Sequence, residues 1–182
     1  TLNGIIDFLL DGISSILPAT VKIKDPSAHK SDNFLAGNDT FIDAPAEGAT
    51  DASVSASVLN FFDGDALYAS NPSYSDFAGW AVVRLKFELG GSATDAIFTI
   101  YPVDVLEQEG ATDDDIRALL LDDSLLGEYN FNIEALTDVQ LEWGYDYRLY
   151  AIPFDASENT GELFKLDIPA LSREQASPIS EY

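Results

Sequence analysis

Across residues 20–168 the apolar side chains recur mostly at every second position, in short runs cut off by Gly, Pro, Asn or Asp. Successive side chains of a strand point to opposite faces, so this spacing predicts strands with one buried side. The clearest run is 79–89, GWAVVRLKFEL. Ala81, Val83, Leu85, Phe87 and Leu89 share one side, and Arg84, Lys86 and Glu88 share the other, which is expected to face solvent. Gly90, Gly91 and Ser92 then turn the chain into 96–103, AIFTIYPV, and the pair reads as a β-hairpin. Pro102 cannot donate to a ladder and marks a strand end or an edge. Further strands are expected at 20–24 (TVKIK), 53–62, 129–133, 139–143, 145–154 and 163–168, with a turn at Asp63, Gly64 and Asp65 and a polar loop at 155–161.

Two segments break this pattern. Thr112 is placed to cap a helix over 113–121: Asp113, Asp114 and Asp115 put negative charge at its positive end, and Ile116, Leu119 and Leu120 form its apolar face. The other is the segment 1–18, where Leu2, Ile5, Ile6, Leu9, Ile13, Ile16 and Leu17 recur three and four apart and predict an amphipathic helix. It is too short and too polar to span a bilayer, and it lacks the basic start of a secretory leader. Gly4 and Gly12 weaken it as a free helix, so its apolar stripe is expected to pack on its own domain, a neighbouring subunit or a lipid interface.

About eight antiparallel strands with one crossover helix and no strand–helix alternation predict a mainly β fold, a jelly-roll barrel or sandwich of two sheets. The expected organisation is an N-terminal helical arm at 1–18, a jelly-roll domain at 19–171 and a polar, exposed C-terminal tail at 172–182. The length of 182 residues fits one such domain.

The charge balance describes the surroundings of this fold. The chain has 32 Asp plus Glu against 9 Lys plus Arg, a formal −23, yet 46% of it is hydrophobic. That much apolar material builds a core, so the carboxylates must coat a folded surface. Such a surface repels itself in dilute buffer, but at molar salt the Debye length is about 3 Å and the repulsion is screened. This is the pattern of a halophile's protein. The nine basic residues are scattered, which argues against nucleic acid and against anionic membranes as partners. Cysteine is absent, excluding disulfides and thiolate sites, and methionine is absent even at position 1. Thr1 is therefore expected to follow a removed initiator or a cleaved leader.

No group of residues announces catalysis, and the expected reading is not an enzyme, with no cofactor and no specific metal. His29 is the single histidine and no nucleophile elbow accompanies it, which leaves neither a triad nor a conventional zinc site. The Asp63/Asp65 and Asp113/Asp114/Asp115 clusters offer hard oxygen ligands, but in a chain this acidic they read first as caps and solvated surface. Paired carboxylates for glycoside hydrolysis are chemically available, and nothing selects a pair. Trp143, Tyr145, Tyr147 and Tyr150, joined by Trp80, are candidates for a sugar-stacking face, although the shared parity of Trp143, Tyr145 and Tyr147 favours a buried one. Asn38, Asp39 and Thr40 match an N-glycosylation acceptor.

In overall size, in the strand series from TVKIK at 20–24 to ELFKLDI at 162–168, in acidic composition and in lacking an initiator Met, the chain resembles the smaller major capsid protein of tailless, membrane-containing icosahedral viruses of halophilic archaea, the vertical single β-barrel lineage. The resemblance implies an upright jelly roll that assembles with a partner capsid protein into a shell over an internal membrane, located in the virion and carrying no catalytic residues. Leu2, Ile5, Ile6, Leu9 and Ile13 would then form a subunit-interface or membrane-proximal stripe, since molar salt weakens ion pairs and strengthens apolar contact. Two other readings stand beside it: an exported archaeal filament or surface-layer subunit at the cell surface, and a β-sandwich glycan-binding module.

Overall fold

The structure, a computed structural model, describes residues 50–182. In chain order it consists of β1 (Ser53–Asp63), α1 (Gly64–Ser70), a 3-10 turn (Pro72–Phe77), β2 (Ala81–Gly90), β3 (Ala93–Pro102), α2 (Val103–Glu109), α3 (Asp113–Leu120), β4 (Phe131–Asn132), β5 (Leu136–Leu141), β6 (Tyr147–Asp155) and β7 (Phe164–Ile168). The strands form two antiparallel sheets, three-stranded in the order β1-β2-β5 and four-stranded in the order β4-β3-β6-β7. The fold is a mainly β sandwich, and the segments 1–18 and 20–24 lie outside the described residues.

The parity read in the sequence decides the core. Ala81, Val83, Leu85 and Phe87 of β2 point inward with Val139 and Leu141 of β5, and meet Ala96, Phe98 and Ile100 of β3 with Leu149 and Ala151 of β6. The rings of Phe87 and Phe98 face each other across the sheets at 5.0 Å.

That contact corrects the expected hairpin. β2 hydrogen-bonds to β1 and β5, whereas β3 hydrogen-bonds to β4 and β6, so Gly91 and Ser92 carry the chain from one sheet to the other. Both strands have an apolar inner side, and an arch lays those sides on each other where a hairpin would place them side by side. The arch needs glycine: Gly91 has φ +58°, and a Cβ there would collide with the Asp51 carbonyl.

β3 is buried on both faces from Ala96 to Pro102 because the four-stranded sheet carries helices on its outer side. Ile97 and Tyr101 of β3, with Tyr150 and Ile152 of β6, pack against Leu106, Ile116, Leu119 and Leu120. α3 forms where Thr112 predicts it. The Thr112 hydroxyl accepts the Asp115 N–H at 3.2 Å, and the Asp115 carboxylate accepts the Thr112 N–H at 2.9 Å, closing a reciprocal cap. The side-chain amide of fully buried Asn130 donates to the Leu119 carbonyl at 2.7 Å, tying the end of α3 to the start of β4.

Half of the outer face of the three-stranded sheet is covered as well. Asp63 is the N-cap of α1, its carboxylate accepting the Asp65 N–H at 3.0 Å, so the expected turn is the start of a helix. Leu67 of α1 and Phe77 bury Phe62 and Val82, and Tyr74 and Tyr182 close the cluster. The segment 172–182 is accordingly laid back on the sheet: Ser177 N–H donates to the Phe61 carbonyl at 2.8 Å, and the Tyr182 ring meets Phe62 edge-on at 5.1 Å.

Three connections, β2 to β3, β4 to β5 and β5 to β6, cross between the sheets, so that β2 pairs β5 and β3 pairs β6. This stepped Greek-key order is of the kind used by immunoglobulin-like sandwiches. The nested pairing of first strand with last that defines a jelly roll is not among the described pairings. At the corner into β6, the Tyr147 phenol accepts the Glu142 N–H at 3.1 Å and is 1% exposed.

Candidate interaction surface

Folding separates most of the groups singled out in the sequence. Leu2, Ile5, Ile6, Leu9, Ile13, His29 and the acceptor pattern at 38–40 lie outside the described residues. The aromatic series does not lie on one strand. β5 ends at Leu141 and β6 starts at Tyr147, so Trp143 and Tyr145 sit in the corner between them. Tyr147 and Tyr150 are buried, Tyr145 is exposed, and Trp143 packs against Phe61 with the Arg173 guanidinium over its ring at 5.1 Å. No continuous sugar-stacking face joins these residues.

The acidic clusters are occupied by the protein itself. Arg173 bonds both Asp63 and Asp65 at 2.7 Å, and Asp65 also accepts the Gly79 N–H at 2.7 Å. These contacts, the Gly79 amide first, hold the Asp65 carboxyl below its ordinary pKa. Asp113 receives Lys165 at 2.6 Å and Asp115 completes its helix cap. Among the described residues no group of three or more His, Asp or Glu is gathered for a metal.

The basic side chains are as fully engaged. Arg84 pairs with Asp138 through two bonds of 2.9 and 3.0 Å while lying over the Phe62 and Tyr182 rings. Lys86 pairs with Glu88, Arg148 with Asp167, and Lys165 with Asp113. Arg117 donates to the Gly161 carbonyl and to Thr160. The six basic residues of 50–182, set against 25 acids there for a net −19, thus all serve internal contacts. Arg84, Arg148 and Arg173 have pKa values raised above the ordinary range, in each case first by a carboxylate hydrogen bond.

One cleft, about 310 Å³, opens at the seam between residues 50–54 and 162–164. Its lining holds two carboxylates, Asp51 and Glu162, and neither imidazole nor amine. The Ser92 hydroxyl and N–H hold Asp51 below its ordinary pKa, so it serves as a hydrogen-bond acceptor and is unsuited to donating a proton near neutral pH. Thr50 is tied to the Ser92 hydroxyl at 3.0 Å.

The same seam borders a different kind of surface. β1 is an edge strand of 11 residues, paired only with β2 among the described residues. Residues 52–62 contain no charge and no proline, between Asp51 and Asp63. Ser53, Ser55, Ser57 and Leu59 along it are exposed. Unpaired N–H and C=O groups on a long uncharged edge are a template for another strand. The sequence contained this signal as a charge-free stretch, which alternation alone could not mark as an edge. No protein-family model, curated protein or solved structure matches the chain.

Proposed function

We propose that this protein is a structural assembly subunit, a capsid protein of the kind its sequence resembles, which associates with a partner capsid protein in a virion shell. One observation supports this reading: an anionic surface whose described cations are all used internally surrounds a long, uncharged strand edge. Such a molecule has little to offer phosphate or an anionic substrate, and has a backbone edge and an apolar stripe to offer another protein. Leu2, Ile5, Ile6, Leu9 and Ile13 remain the proposed subunit-contact stripe. A single upright jelly roll is the finer part of the resemblance, and the proposal does not depend on it.

The stepped strand order favours a second reading, an exported filament or surface-layer subunit, because sandwiches with an open edge assemble by strand addition without a distinct partner protein. A capsid subunit should need its partner to build a closed shell, and a filament subunit should polymerise alone.

Light-scattering mass of the purified protein at about 3 M and about 0.1 M salt, where screening lengths are roughly 2 and 10 Å, tests both. Folded oligomers at high salt that dissociate or unfold at low salt are expected. A folded monomer indifferent to salt would overturn both assembly readings. Ile6→Asp is expected to reduce assembly while the sandwich stays folded. Loss of the sandwich would instead place the stripe in its own core.

A further inference from the structure

We infer that the aromatic groove on the outer face of the three-stranded sheet is a docking site for the segment 172–182, and that its occupant within an assembly is this segment of a second copy of the chain. The segment is seated like a bound peptide. The backbone after β7 is anchored as far as Leu171: Ala170 N–H donates to the Asp146 carboxylate at 2.7 Å, and the Leu171 carbonyl accepts the Gly144 N–H at 3.1 Å. Residues 172–175 and 178–181 are then exposed. Among the described residues a single backbone–backbone bond, Ser177 N–H to the Phe61 carbonyl, ties 172–182 to the body. Two side chains, one near each end, do most of the holding. Arg173 reaches Asp63 and Asp65. The Tyr182 ring enters the groove edge-on to Phe62 at 5.1 Å, Tyr74 at 5.4 Å and Phe77 at 6.0 Å, with the Arg84 guanidinium over it at 4.9 Å.

The walls of the groove are set by contacts that do not involve the segment. Tyr74 and Phe77 stack on each other at 5.5 Å, and the buried Gln140 amide donates to the Asp76 carbonyl at 3.2 Å, holding their turn on β5. Arg84 is fixed by its two bonds to Asp138. Such walls keep their shape when the ligand leaves and bind it again at little ordering cost. The groove lies over β1 and β2, and β2 is hydrogen-bonded on both sides, so this face takes an aromatic anchor and not an added strand. A second copy presents the identical segment, so exchange replaces each contact by its equal, the condition under which swapping costs least. A swing at Ser172 suffices, since the segment 172–182 reaches up to about 36 Å when extended. In dilute solution the tether favours the chain's own segment through an effective concentration of order millimolar. Copies packed side by side in an assembly remove that advantage.

The test uses the full chain at high salt and, as probe, a fluorescently labelled synthetic peptide of residues 172–182. Tyr182→Ala vacates the groove. Anisotropy is expected to show the probe binding this variant at least about tenfold more tightly than the wild type, whose own segment competes. A peptide with alanine in place of its tyrosine should not bind. The unlabelled Tyr74→Ala chain keeps its segment and loses one wall of its own groove, so it should displace the probe from the Tyr182→Ala chain, and the chain carrying both substitutions should not. No binding, or equal binding of the two peptides, would overturn the docking site. Binding without displacement by the Tyr74→Ala chain would overturn the exchange and leave an internal strap. Circular dichroism shows whether each variant keeps the sandwich. If Tyr182→Ala loses it, Arg173→Ala, which releases the segment at its other anchor, takes its place and must likewise bind the probe more tightly than the wild type. The outcome is independent of the assembly readings, since a monomer can bind the peptide.

Discussion

The phenol oxygen of Tyr147 accepts the backbone N–H of Glu142 across the corner between β5 and β6, at 3.1 Å, with the ring 1% exposed. This bond and the buried ring help to hold the corner while the backbone changes sheets, together with the Gly144 N–H donated to the Leu171 carbonyl at 3.1 Å and the Val103 N–H donated to the Asp146 carbonyl at 2.9 Å. Tyr147→Phe keeps the ring and removes the acceptor, and because Glu142 is exposed, water can replace the bond. The expected loss is about 0.5–1.5 kcal/mol, read as a lower denaturant midpoint at unchanged slope. Tyr147→Ala also leaves a cavity and should cost about 3–5 kcal/mol.

Arg84 and Lys86 are two residues apart on one face of β2, and their surroundings differ. Arg84 makes two bonds to Asp138 beneath Tyr182, with its side chain 22% exposed, whereas the Lys86–Glu88 pair is 43% and 62% exposed. Arg84→Ala leaves a half-buried carboxylate without its counter-charge and uncovers the Phe62 ring, and is expected to destabilise by about 1–3 kcal/mol. Lys86→Ala should stay within about 0.5 kcal/mol, because water screens an exposed pair. Equal effects in urea unfolding would refute the distinction.

The same β2 face shows how far the sequence could be read. Alternation in 79–89 located β2 and its buried side, and Thr112 with its three aspartates located α3, because both signals are local. Alternation cannot say which sheet the next strand joins: β2 and β3 have the pattern of a hairpin, and only the packing of Phe87 on Phe98 makes them an arch. Arg84 was expected to face water because its charge faces outward, and the aromatic cover from Tyr182, 98 residues away in sequence, lies beyond any local pattern. The candidate surface was legible only in part for the same reason. A charge-free run from 52 to 62 is visible in the sequence, but its position at an edge follows from the sheet order.

Stability should be flat between about pH 4 and pH 10 at high salt. Burial pushes the phenols of Tyr101, Tyr147 and Tyr182 up to about 12, against about 10 in an unfolded chain. Their contribution is complete below pH 10 and is lost as pH rises through 12, since only the unfolded chain ionises freely in that window. On the acid side, hydrogen bonds hold Asp51, Asp65, Asp115 and Asp155 below their ordinary pKa, so what they contribute is present above about pH 3.8 and lost as pH falls through their lower folded values. Thermal midpoints measured against pH, with phenolate absorbance followed in parallel, check both limbs. A thermal midpoint that stays constant from pH 10 to pH 12 would contradict the alkaline one.

Salt dependence should concentrate where the acidic surface opposes the fold locally. α2 ends in Glu107 and Glu109 with no basic residue in its last turn, so two carboxylates sit at the negative end of its dipole, beside the left-handed Gly110 cap. The first turn of α3, by contrast, places Asp113, Asp114 and Asp115 where the dipole welcomes them. Glu107→Gln with Glu109→Gln is therefore expected to stabilise the protein by about 0.3–1 kcal/mol at low ionic strength, whereas Asp114→Asn should destabilise it by a similar amount. At about 3 M salt, with screening over roughly 2 Å, both differences should vanish. Melting curves of the variants at the two salt concentrations decide it. If the α2 variant gains nothing at low salt, the need for salt comes from the net charge as a whole and not from where the charges sit.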